Sequence, residues 1–305
     1  MLAFAAFSTM RPVPAIRFVS SNSIEEQGIT IMATMTEDAN VCIELMRPAQ
    51  IHACRQKADV AFLPLGALEW HGIHGPVGTD AIKAHGVCRL AAEKLGGGAV
   101  FPPLVWGVPR DSFFMDNNGF CDDLIAKAYG ADPGLKAAIT PYGGMDRQEQ
   151  WLNYQRLLRM SLEQIAGFGF RSIYILSGHN PLVHWAKPVA VAFSRATHMA
   201  GCVVTTDWGG EFEAAGLNGD HAGKWEMSLM MALAPGSVDL SENDRRPEYR
   251  GAGATANAPE ANEREGRQWL ETCAIAIAQE ARWLADNYPK LPPRHDHRRF
   301  GPPPA

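Results

Sequence analysis

Three apolar runs, each ending in a turn that carries polar side chains, constrain this chain more than any other feature. They are VAFLPLG (60–66), RSIYILSGHN (171–180) and CVVTTDW (202–208). A short apolar run bounded by turn residues reads as a strand buried on both faces, as in a parallel sheet. Helical patterns separate the runs. Thr79 or Asp80 can cap a helix that reaches about Leu95, where Gly96, Gly97 and Gly98 stop it. Further helices are expected over 147–166, 182–199, 224–233 and about 262–287, with AVFPPLVWG from Ala99 as a second strand region. Residues 109–146 read as a long loop with a short helix at 121–129, and 251–258 as an exposed loop. Strands alternating with helices predict a single α/β domain, a mostly parallel sheet flanked by helices.

The bulk properties bound what this domain can do. At 305 residues and 46% hydrophobic composition, the chain can bury a sizeable core. The domain is expected over 41–288. Residues 1–40 read as a disordered extension, with Met32 or Met35 a natural start, and 289–305 as a tail rich in Pro, His and Arg. A net charge of -5 gives no electrostatic reason to expect nucleic acid or an anionic membrane. No apolar run approaches membrane-span length. The six cysteines form no CxxC pair, which suits free thiols in a reducing, cytoplasmic setting.

In open parallel sheets, ligands bind beyond the carboxyl ends of strands. Three polar clusters fall there. The first, LPLGALEWHGIHGPVGTD (63–80), gathers Glu69, His71, His74 and Asp80 in one glycine-rich loop. Imidazole nitrogens and carboxylate oxygens converging on a point are what a divalent metal needs. In extended backbone Glu69 and His71 project to the same side. His74 either supports the site or satisfies a backbone carbonyl. The second cluster places His179 in the turn after the second strand, beside Asn180. The third, GDHAGKWEMS (219–228), sets Asp220 and His221 in a loop and Glu226 in the first turns of a helix. An Asp–His pair suits proton transfer, because a carboxylate can raise the histidine pKa. Trp70, Tyr142 and Trp208 are candidates to line a small substrate pocket or to pack in the core. His295 and His297 form an HDH pair in the tail, expected to be irrelevant to catalysis.

The three clusters together resemble the motifs of the creatininase family of creatinine amidohydrolases and their relatives. The family pattern E-Q-H-G-P-H-L-P-x-G-T-D is similar to EWHGIHGPVGTD at 69–80. N-G-H-x-x-N is similar to SGHNPL at 177–182, and H-A-G-x-x-E-[TS]-S to HAGKWEMS at 221–228. The resemblance spans roughly 42–240 and implies two divalent metal ions, zinc first, with manganese or iron(II) as alternatives. It carries the ligands onto Glu69, His71, Asp80 and His179, with Asp80 bridging. The last carboxylate of creatininase itself falls at Pro181 here, which leaves Glu226 for that role. It carries the acid/base residue onto His221, preceded by Asp220, and it implies a homo-oligomer, a hexamer. Trp70, Ser177 and the pair Asn180–Pro181 depart from the family pattern, and all lie near the expected site.

The expected reaction is attack of metal-activated water on a carbonyl, cleaving a C–N bond of a small amide or cyclic amide. Ring opening of a cyclic dicarbonyl such as an oxidised inositol is the alternative. A metal-stabilised binding protein is the non-enzymatic one, disfavoured by an intact Asp220 and His221.

Overall fold

The computed structural model describes residues 40–109, 122–130, 146–197, 201–206 and 219–287. The N-terminal extension, most of the long loop, Tyr142, Trp208, His295 and His297 lie outside these residues.

In chain order the helices are α1 (Pro48–Lys57), α2 (Thr79–Leu95), α3 (Asp122–Tyr129), α4 (Arg147–Gly167), α5 (Asn180–Thr197), α6 (Lys224–Leu233), α7 (Glu242–Arg245) and α8 (Glu263–Asn287). The strands are β1 (Val60–Leu65), β2 (Ala99–Val100), β3 (Ser172–Ser177) and β4 (Gly201–Thr206). They form one sheet in the order β2-β1-β3-β4, and every pairing is parallel. The expected α/β architecture is the one observed.

Alternation along the strands sorts the core into two layers. Ala61, Leu63, Leu65, Ile173 and Ile175 face α4 and α5, meeting Leu158, Leu162, Ala186 and Phe193. Val60, Phe62, Tyr174 and Leu176 face α2, α6 and α8, meeting Val87, Cys88, Leu229, Cys273 and Ile277. Both inner strands are therefore buried at every position, which is why their sequence runs show no regular polar alternation. Of the cysteines, Cys42, Cys54, Cys88, Cys202 and Cys273 are free thiols, and all but the half-buried Cys54 are buried.

Two expectations need correcting. The second strand region shrinks to two residues, Ala99 and Val100. Pro102 and Pro103 have no N–H to give a ladder, and Leu104 alone bridges back to Leu65. Helix α1, entered at Pro48, was not expected. None of its residues is buried, so its apolar periodicity is faint.

The strand order reverses at β1. From there the chain moves to β2 on one side, and β3 later pairs on the other. The ends of β1 and β3 thus border a crevice of the kind where parallel sheets bind ligands. Two close approaches shape it. A Cβ on Gly66, just after β1, would lie 2.5 Å from the Ala81 nitrogen, and one on Gly178, just after β3, would lie 2.1 Å from the Asp80 carbonyl oxygen. Both strand ends are pressed against the first turn of α2, and that contact carries Asp80 into the crevice.

Candidate metal centre

The loop from β1 to α2 is closed by the Glu69 N–H donating to the Val77 carbonyl at 3.0 Å. Glu69, His71 and Asp80 are all buried. His71 Nδ1 lies 3.0 Å from the Glu69 carbonyl oxygen. Donation there places the proton on Nδ1 and leaves Nε2 facing inward. Asp80 sits in the first turn of α2, where the helix dipole favours a carboxylate. Its Oδ1 is 3.3 Å from His71 Nε2 and its Oδ2 is 3.1 Å from His179 Nδ1. His179 arrives from the turn after β3, where Ser177 Oγ donates to the His179 carbonyl at 2.6 Å. Its Nδ1 is 2.9 Å from Glu69 Oε2.

Glu226 enters from the first turn of α6, with Oε2 3.4 Å from His71 Nε2. The turn before that helix is unusual. Ala222 is the one non-glycine residue with a positive φ, 51°, among the described residues. Backbone strain of this kind persists where the surroundings over-determine it. Here the Ala222 N–H donates to Glu226 Oε2 at 2.8 Å, and its carbonyl accepts from His74 Nε2 at 2.9 Å.

The five candidate ligands therefore converge as two buried triads, Glu69/Asp80/His179 and His71/Asp80/Glu226, with Asp80 in both. Within each, one ligand atom per residue lies within 4.8 Å of the others. Three of the converging atoms, Glu69 Oε2, His71 Nε2 and Asp80 Oδ2, are buried yet make no hydrogen bond of acceptable geometry. Oppositely charged neighbours are close, but their lone pairs and N–H directions do not line up. Groups so placed are costly when left to themselves, and the donor set of imidazole nitrogen and carboxylate oxygen suits a divalent ion.

The charges reinforce one another. Burial lowers the His71 pKa, but the carboxylates of Asp80, Glu226 and Glu69 outweigh it and raise it to about 9. Burial also opposes charge on His179, and its close approach to Asp80 and Glu69 raises it to about 10. Burial works against the Asp80 charge, and His71 and His179 still hold it far below the carboxylate range.

The remaining candidates divide. His221 is half-buried. Its Nε2 is 2.8 Å from the Trp70 carbonyl oxygen, and its ring centroid lies 4.5 Å from that of His71, the rings tilted by 33°. Glu69, His71 and His221 form a third group with ligand atoms in mutual reach. Thr255 clamps the His221 backbone, its N–H donating to the His221 carbonyl at 2.7 Å. Asp220, expected to pair with His221, instead has both oxygens taken by the start of α6, from the Trp225 N–H at 2.8 Å and the Glu226 N–H at 3.1 Å. Burial raises its pKa. His74, expected to support the site or to satisfy a backbone carbonyl, meets the Ala222 carbonyl through Nε2. Its second nitrogen, Nδ1, is 3.2 Å from Asn243 Nδ2. His74 also lines a cavity of about 530 Å³ with Asn243, Arg250 and Thr255, and none of the five candidate ligands borders it. Trp70 is buried and donates from Nε1 to the Ala252 carbonyl at 2.8 Å. Asn180 is exposed at the first residue of α5.

Two features were missed from the sequence. The segment 251–258, expected to be an exposed loop, supplies Ala252 and Thr255 to hold Trp70 and His221. Lys83, fully buried, donates to Glu226 Oε1 at 2.6 Å. The signal for Lys83 was present. It stands three residues after Asp80, on the α2 face that also carries Ala84, Val87 and Ala91, a charged residue in an apolar stripe.

Comparison with known proteins agrees with this geometry. The family model for creatininase, described as creatinine amidohydrolase, matches residues 44–115 and 150–281. The creatinine amidohydrolase of Pseudomonas putida is 25% identical over 254 residues, covering 73% of this chain and 88% of the relative. A manganese form of creatininase superposes with a TM-score of 0.60 at 22% identity, over 80% of this chain and 98% of that one. A second creatininase structure gives 0.58 at 22% identity, over 78% and 95%. At that identity the solved structures establish a common fold, and the family match extends over all five converging ligands. The chain belongs to the creatininase family of amidohydrolases.

Proposed function

We propose that this protein is a metal-dependent hydrolase that cleaves a C–N bond in a small amide or cyclic amide. The observation that carries the proposal is the pair of triads sharing Asp80, with three buried ligand atoms left without hydrogen bonds. Glu69, Asp80 and His179 would hold one divalent ion, and His71, Asp80 and Glu226 a second. Among the structural relatives are creatininases in manganese and zinc–zinc forms, and one complexed with creatine. Zinc or manganese is therefore the first choice, and a small nitrogen-containing molecule the first substrate class. Such ions, when bound, polarise a carbonyl and acidify water.

The chain's own residues supply the rest. The Trp70 carbonyl fixes the Nε2–H of His221, which leaves Nδ1 to carry the moving proton to the leaving nitrogen. Half-burial and the Thr255 clamp suit that role, since the ring borders the site while its backbone stays fixed. Asp220 is a positioning residue, fixing the start of α6 and with it Glu226. His74 supports the strained Ala222 turn from behind.

The test is a hydrolysis screen of zinc- and manganese-loaded protein against cyclic amides, formamides and oxidised inositols. Turnover of an amide with release of an amine supports the proposal. Turnover confined to oxidised inositols would replace C–N cleavage with ring opening at carbon.

A further inference from the structure

One group of metal-ligating side chains lies apart from the centre around Asp80. Cys42 Sγ, a Glu44 carboxylate oxygen and a His85 ring nitrogen all lie within 4.8 Å of one another. Among the described residues it is the one such group that shares no member with that centre. His85 stands five residues after Asp80 on α2, about 140° around the helix, so the two groups occupy different faces. Cys42 and Glu44 come from the segment at the β2 edge of the sheet. Cys42 bridges in parallel to Val100, and a single helical turn, Ile43–Leu45, follows it.

A second observation points to a ligand. His85 Nε2 is buried and has no hydrogen-bond partner, although the residue as a whole is only half-buried. A buried polar atom left in this way requires an explanation, and an ion supplies one. Cys42 beside it is 8% exposed and a free thiol. Burial and then Arg89 lower the His85 pKa, so the ring is neutral and has a lone pair to give. Arg89 is itself paired with Glu93 at 3.8 Å. Burial and then Glu44 raise the Cys42 pKa, so an ion must displace the thiol proton, as a coordinating cation does. Thiolate, imidazole and carboxylate are zinc donors, and the soft sulfur disfavours magnesium, calcium and manganese. Tetrahedral zinc, with bonds of about 2.0–2.3 Å, holds its donors roughly 3.3–3.8 Å apart. Rotation of the exposed Glu44 side chain closes the remaining gap.

We propose that Cys42, Glu44 and His85 form an accessory zinc site, with water as the fourth ligand, that fastens the segment at the β2 edge to α2. The carboxylate comes from the exposed side, so the ion enters from solvent and the water faces it. The role is structural. The ion ties two pieces of chain some forty residues apart, and one of them is the helix that carries Asp80. The site stands on its own residues, and it holds whether or not the centre around Asp80 binds metal.

The experiment titrates the ion-free, reduced full chain with Co²⁺ and follows the thiolate-to-cobalt charge-transfer absorption in the near ultraviolet. Only a cysteine ligand produces that band, and the centre around Asp80 has none, so the signal reports on this site alone. Wild type should develop the band, and Zn²⁺ should displace the cobalt and bleach it. Cys42→Ser, shown to be folded by circular dichroism, should lack the band altogether. His85→Gln should weaken the cobalt dependence by at least the ten- to hundredfold that loss of even a supporting group costs a metal site. Glu44→Gln, at an exposed position, should weaken it by about tenfold, and it keeps the test open should Cys42→Ser fail to fold. A wild type without the band would overturn the proposal, as would a band that Zn²⁺ cannot displace. So would an undiminished band in folded Cys42→Ser, which would place the ion at another cysteine. Unchanged cobalt dependence in both His85→Gln and Glu44→Gln would reduce the site to a single thiol and overturn it as well.

Discussion

The site is assembled from two regions of unlike construction. One half hangs from strand ends. Glu69, His71 and His179 follow β1 and β3, and Asp80 opens the helix pressed against both, all buried and braced by backbone contact. The other half is built from turns. In it a left-handed Ala222, a capping Asp220 and a Thr255 clamp hold His221 at half-burial. The strand-end half is buried throughout, whereas the turn-built half keeps His221 half-buried, as the proposed proton transfer would need. If this division of labour is right, the two halves should fail in different ways.

The largest separable effect is expected at His221. His221→Ala should lower turnover by roughly a hundred- to ten-thousand-fold, the range for a missing general acid/base, while elemental analysis finds the ion content unchanged. Loss of both together would make His221 a ligand, as its reach to Glu69 and His71 allows, and the division between halves would collapse.

A smaller effect, on the opposite half, is expected at Gly178. In Gly178→Ala the new methyl would sit 2.1 Å from the Asp80 carbonyl oxygen. Backbone cannot yield as a side-chain tip does, so about 3 kcal/mol of stability should be lost, read from denaturant midpoints. Ion affinity should weaken at the same time, because the turn that moves carries His179. Unchanged stability with full ion content would show that the strand-end half is loose enough to absorb the methyl.

The gentlest probe is pH. In the ion-free chain, His71 and His179 have pKa values raised to about 9 and about 10 by the surrounding carboxylates. A raised imidazole pKa contributes stability that is complete below the unfolded value near 6.5. That contribution is lost as pH climbs through 9 to 10. Ligation needs neutral imidazoles, so ion uptake near pH 7.5 should release about two protons, one from each ring, and affinity should rise with pH toward 9. Calorimetry in two buffers of different ionisation heat measures this. No proton release would mean that the rings are already neutral and that the carboxylate field is weaker than their contacts imply.

The same contrast explains what the sequence disclosed. The strand-end half was legible because its signals are local. An apolar run, a glycine-rich turn and a polar residue at the strand end lie within about a dozen residues, as from Val60 to His71 and from Ser172 to His179. Helix α6 occupies the expected 224–233. The turn-built half was less legible because its contacts are distant in sequence. Trp70 meets Ala252 and His74 meets Ala222 across more than a hundred residues, and Thr255 meets His221 across 34. A run of Gly, Ala and Asn at 251–258 carries no apolar periodicity to announce such contacts. Asp220 misled for a related reason. Adjacency to His221 suggested a pair, but an Asp just ahead of a helix also satisfies the orphan N–H groups of the first turn, and that use prevailed.

The central claim is that one carboxylate, Asp80, serves both ion positions, and it can be tested by counting metal. Wild type and Asp80→Ala are loaded with Zn²⁺, dialysed, and analysed for ions per chain, with circular dichroism to confirm that both are folded. The folded variant is expected to lose most of its zinc from both positions. A folded Asp80→Ala that keeps its full zinc complement would contradict it.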